Sequence, residues 1–141
     1  MDNNEKLAQI NQYLEEGLYK QSKKLKFYSI IRDCNLFTFG KILEEDCTVQ
    51  VFPYMIYPDD TSQGVKSILL YTDRQFILEA FKGDNLFDIE HKPKFSECTV
   101  IVPMEDIINN FYEYQLLINY DADTGECDFI ITPDEIANYL I

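Results

Sequence analysis

The apolar residues of this chain fall into two textures, and the switch between them near Cys34 constrains the fold more than any other feature. Before it, Leu7, Ile10, Leu14 and Leu18 recur at steps of three and four, which lines one face of a helix. Asp2, Asn3 and Asn4 offer N-caps, and Leu25, Tyr28, Ile31 and Arg32 continue the pattern in a second helix ending near Asp33. A break at Gly17 would fall inside the stripe, so no boundary is placed there. Lys20, Lys23, Lys24 and Lys26 form a solvated, basic helix end.

After Cys34 the apolar residues come in short β-rich runs bounded by turn formers. Residues 48–57 read as a strand in which Pro53 marks an edge or a bulge. Residues 58–64 are loop chemistry, and 65–71 are a second strand. Thr72 caps a short helix that carries Ile77, Leu78 and Phe81 on its apolar side. Residues 82–94 form a polar loop, 98–102 a strand, and Pro103 opens a helix through Tyr112. Residues 116–120 and 128–132 make a hairpin, and Pro133 starts a terminal helix ending at Ile141. Strands and helices mix without a strict βαβ rhythm. The fold class is therefore α+β: a single domain with a mixed or antiparallel sheet, a helical N-terminal arm and a short C-terminal helix.

The 141 residues suit one domain, and ten Phe and ten Tyr supply its interior. No internal repeat or linker divides it, so 1–33 is an arm packed on a body at 34–141, in one folding unit. Charge is unevenly shared: six basic and five acidic groups give the arm +1, whereas six basic and twenty acidic groups give the body −14, together −13. Such a balance opposes nucleic acid and anionic membrane surfaces as partners and favours a basic protein. No apolar run approaches the ~20 residues of a membrane span, and the start Met1-Asp2-Asn3-Asn4-Glu5 is unlike a signal peptide, which points to the cytoplasm.

Cys34, Cys47, Cys98 and Cys127 are separated by 12, 50 and 28 residues, without a C-x-x-C pair. That spacing points to reduced, isolated thiols and to no metal site. The acidic turn at 121–126 resembles an EF-hand start, but glycine falls at position five and Thr132 at position twelve, where a glutamate is needed. It reads instead as a hairpin turn with Gly125 in a left-handed conformation. His91, the single imidazole, sits in a charged loop with no G-x-S-x-G anywhere, and no glycine-rich phosphate cradle is present. The chain therefore reads as non-catalytic, with no cofactor.

From Val51 onward the order of pieces resembles the N-terminal domain of the SseB family, named for enhanced serine sensitivity. Three segments carry the likeness: VFPYMIYP with its proline-marked strand, LLYTDRQFILEAF as strand, turn and helix, and LLINYDADTGECDFIITPDEIANYLI as closing hairpin and terminal helix. They cover about half the chain. Asn119-Tyr120 stands where the family has Asn-Pro. The resemblance implies an α+β fold in a small bacterial protein of partner-binding or toxin-neutralising kind, and it brings no catalytic residues.

The expectation is thus an acidic interaction protein, an inhibitor or immunity protein neutralising a basic partner such as a toxin. Its contact residues would be Asp59 and Asp60 in one loop and Asp121, Asp123 and Glu126 in the hairpin turn. The alternative is an SseB-like regulatory module binding a cellular protein or small metabolite in a sheet-side cleft.

Overall fold

The computed structural model of the chain describes residues 2–42, 48–56, 64–80, 99–121 and 124–141. Helix α1 (Asn3–Glu16) starts at Asp2, whose carboxylate accepts the Glu5 N–H at 2.8 Å. It ends at Gly17, with φ +87° and ψ 145°, a conformation open in practice to glycine alone. The boundary therefore does fall inside the leucine stripe. Leu7 and Ile10 are buried, while Leu14 and Leu18 pack at the margin of the same core, Leu18 from the connection rather than from the helix.

Helix α2 (Gln21–Ile31) buries Phe27, Tyr28 and Ile31. Leu25, placed on the inner face by spacing, is 47% exposed, and Phe27 takes its place. Lys23 reaches back to Glu16 at 3.0 Å, so one lysine of the basic cluster ties the two helices together. The switch at Cys34 opens directly into strand β1 (Asn35–Ile42), a strand absent from the reading by pattern.

Residues 48–57, expected as one strand, divide at Phe52-Pro53 into β2 (Val49–Val51) and β3 (Tyr54–Ile56). Proline has no N–H to give to a ladder, and the break falls there. The next strand, β4 (Val65–Tyr71), runs antiparallel to β1 through Phe37–Tyr71 and Thr38–Leu70 only. Beyond the same end of that short pairing, β2 pairs with β1 and β3 pairs with β4, so the broken segment occupies the fork between them. Gly40 allows the approach: a Cβ there would lie 2.4 Å from the Gln50 carbonyl oxygen.

Helix α3 (Arg74–Glu79) follows β4. Its cap is Asp73, which accepts the Gln75 N–H at 2.7 Å, and not Thr72, whose hydroxyl is engaged elsewhere. Ile77 is buried under it, Leu78 is 41% exposed, and Phe81 lies outside the described residues. Strand β5 (Thr99–Pro103) pairs antiparallel with β1. Helix α4 (Met104–Asn110) stops short of Tyr112. Strand β6 (Gln115–Ile118) then pairs parallel with β4, and β7 (Phe129–Ile131) pairs antiparallel with β6. The chain closes with α5 (Pro133–Glu135) and a π-helical turn (Ile136–Leu140). A capping box joins Thr132 and Glu135 at this last start.

The result is an α+β domain around a mixed sheet. Side chains alternate along a strand, so the central strands β1, β4 and β6 feed two cores. Ile68 and Leu70 of β4 and Leu116 and Ile118 of β6 face α1, α2, α4 and the C-terminal turn. Leu69, Tyr71 and Leu117 face the other way, with Phe39, Phe52 and Ile77. Among the described residues no helix is long and apolar enough to cross a membrane.

Candidate functional site

Because β4 and β6 are parallel, both release the chain at the same end of the sheet, a place where open α/β sheets present their clefts. Tyr71-Thr72 leaves β4 there and Asn119-Tyr120 leaves β6. The two exits are tied by backbone and side chain. Asn119 N–H donates to Leu70 O at 2.8 Å, and the Tyr71 hydroxyl donates to Tyr120 O at 2.6 Å.

Asn119 has φ +58°, a left-handed conformation that asparagine tolerates better than most residues. Its side-chain oxygen accepts the Thr72 N–H at 3.0 Å, and its amide nitrogen donates to Thr72 Oγ1 at 3.1 Å and Asp128 Oδ2 at 2.9 Å. A backbone N–H can only donate, which fixes which end of the amide is oxygen.

The chain then turns. Asp121 and Glu126 form an antiparallel bridge, with Asp121 N–H donating to Glu126 O at 2.8 Å. Gly125 N–H donates to Asp121 O at 2.8 Å, with Gly125 at φ +74° as its position in the turn requires. Asp128 N–H returns to Ile118 O at 2.9 Å.

Between this turn and α3 lies a cleft of about 420 Å³. Phe76, Ala80 and Tyr120 give it apolar walls, and Glu79, Asp121, Glu126 and Asp128 give it four carboxylates. No Lys, Arg or His lines it among the described residues. Of the residues proposed from sequence, Asp121 and Glu126 meet here, whereas Asp59, Asp60 and Asp123 lie outside the described residues, as does His91. Glu79 and Asp128 were not singled out. Glu79 reaches the cleft through the parallel β4–β6 pairing, which no local pattern announces, whereas Asp128 lies on the β6–β7 hairpin beside Asp121 and Glu126.

The surroundings resist added negative charge. Burial first, and then Cys127 and Asp121, push the Tyr120 hydroxyl above its usual range. Cys127 also borders the cleft, and burial followed by Asp128 pushes its thiol up. The burial part of these shifts penalises charge of either sign, and the smaller part, from Asp121 and Asp128, is the part that favours a cation. Other hollows differ: the one beside α2 mixes Arg32 with Asp33 and Glu105, and the larger one between β2 and α4 has Asp106 as its charged lining. Cys34 and Cys127 are free thiols, while Cys47 and Cys98 lie outside the described residues. Among the described residues no group of three or more His, Cys, Asp or Glu side chains could hold a metal ion.

No protein-family model matches the chain, and neither a curated protein nor a solved structure matches it.

Proposed function

We propose that this chain is a non-catalytic, acidic interaction protein that covers a basic partner, in the manner of an inhibitor or immunity protein neutralising a toxin. The observation that carries the reading is the cleft between α3 and the 121–126 turn, where four carboxylates stand around apolar walls. A lysine or arginine side chain from a partner suits both parts, its stem against Phe76 and Tyr120 and its head among the carboxylates. The charge of −13 would draw such a partner in from a distance.

Cys127, at the border of the cleft, is poorly set up to act as a nucleophile. A nucleophilic cysteine needs a neighbour that lowers its pKa, and here burial and Asp128 raise it. The free, buried thiol of Cys34 accords with a reducing, cytoplasmic setting. The cleft volume favours the second reading, an SseB-like regulatory module, because small-molecule sites run from roughly 300 to 1,000 Å³.

The test is capture of partners at low and high salt, followed by binding kinetics of the recovered protein. A basic protein whose association is slowed by Glu126→Lys supports the first reading. Retention of a small metabolite instead, with no salt-sensitive protein, would favour the second.

A further inference from the structure

We infer that helix α1 is a clip on the acidic cleft: the seat of Asn11 sets where Asp128 stands, through Thr72 and Asn119. The Thr72 hydroxyl donates to Asn11 Oδ1 at 2.5 Å. Asn119 Nδ2 donates to that same hydroxyl oxygen with one hydrogen and to Asp128 with the other. The Thr72 N–H closes the ring onto Asn119 Oδ1. The Thr72 hydroxyl also has Asn119 Oδ1 within reach at 3.4 Å, and the much shorter contact to Asn11 directs its hydrogen toward α1.

The relay joins parts of the fold that apolar packing keeps separate. Leu7 and Ile10 of α1 belong to the core on one face of the sheet, and the cleft abuts Tyr71 and Tyr120 of the core on the other. The polar chain passes around the sheet's end, where β4 and β6 stop. Helix α1 packs chiefly on α2. Its first turn is pinned by Asn3, which exchanges hydrogen bonds with the Asn35 backbone, and by Lys6, which donates to Asp33 O. Asn11 pins it two turns on. A contact that lifts α1 at Asn11 releases Thr72, then Asn119, and leaves Asp128 free to swing. By linkage, a cation that draws Asp128 away from Asn119 loosens α1 to the same degree. The functional consequence rests on the cleft being the partner site; the coupling itself does not.

Amide hydrogen exchange on the full chain tests it without any partner. Asn11→Ala, which raises helix propensity and so favours folding, breaks the link to α1, and Thr72→Val breaks the links to both Asn11 and Asn119. Both should speed exchange of the Asp121, Gly125 and Asp128 amides roughly three- to tenfold, while Leu69 and Leu117 in the sheet keep their rates. Thr72→Ser, which keeps the hydroxyl, should behave as the parent. Unchanged rates at those three amides in both variants would overturn the clip, as would an equal rise at Leu69 and Leu117. Because no partner enters the measurement, its failure leaves the reading of the cleft to the separate salt test.

Discussion

Tyr28 of α2 donates its hydroxyl hydrogen to Glu135, whose carboxylate also accepts the Thr132 N–H at 3.2 Å in the capping box of the last helix. One side chain thus starts the C-terminal turn and anchors it to the N-terminal pair of helices. Tyr139 stacks on Tyr28 at 5.0 Å and 4°, so the contact is apolar as well. Tyr28→Phe should cost about 1.5–3 kcal/mol, the usual worth of a hydrogen bond to a charged group. Glu135→Ala should cost more, because it also removes the cap and leaves the buried hydroxyl without its partner. Urea denaturation of both variants checks the order; equal stability of Glu135→Ala and the parent would contradict it.

Cys34 gives the protein an alkaline limit. Buried between α2 and β1, with its thiol directed at Ile30 O (3.3 Å), it is pushed up to about 11 by burial, against a smaller lowering by Lys6. The folded chain therefore holds this proton more tightly than the unfolded chain, whose cysteines titrate near ~8.5. The stability that follows is complete below that value and is lost as pH rises through 11. Thermal melts between pH 8 and 11 should fall more steeply for the parent than for Cys34→Ala. Parallel slopes would show that other groups set the limit.

Gly40→Ala should separate β2 from β1. The added methyl meets a backbone carbonyl oxygen, which cannot rotate away as a side chain could. A cost of roughly 1–3 kcal/mol is expected, as for other overpacked interiors. Loss of exchange protection should be greatest at 40–42 and 49–51, the paired residues.

Charge reversal addresses the cleft directly. Asp121→Lys with Glu126→Lys should slow association with a basic partner about tenfold or more at low salt and much less at high salt. Glu126 is exposed, so Glu126→Lys alone should change stability by no more than ~0.5 kcal/mol. Stopped-flow binding and urea melts measure the two effects separately. Association that ignores both the substitutions and the salt would remove the acidic cleft from the mechanism.

Much of this fold is legible in the residues themselves. The run at 65–71 lies between Gly64 and the Thr72-Asp73 turn, and it is β4 from end to end. The β6–β7 hairpin is equally plain, since Asp121 and Gly125 carry turn chemistry between two apolar runs. What escapes is whatever long-range partners decide. Thr72 and Asp73 are both good caps, and Thr72 is drawn off by Asn11 and Asn119, which are far away in sequence. Leu25 and Phe27 both suit a helical stripe, and only the position of the sheet selects Phe27. Strand β1 goes unannounced because Leu36 and Phe39 feed opposite cores, so its apolar residues do not alternate. The acidic cleft is half visible for the same reason: Asp121 and Glu126 come from one turn, whereas Glu79 arrives from another element.

The parallel pairing of β4 with β6 also bears on how the chain is made. A ribosome that adds about 5–20 residues per second finishes Tyr71 roughly 2–9 seconds before it reaches Gln115, 44 positions later. Throughout that interval the nascent β4, apolar on both faces at Ile68, Leu69 and Leu70, lacks the neighbour that will close one flank. The half-made protein is then an open ledge for chaperones or for another nascent copy, and synthesis of four residues, Gln115–Ile118, ends the exposure.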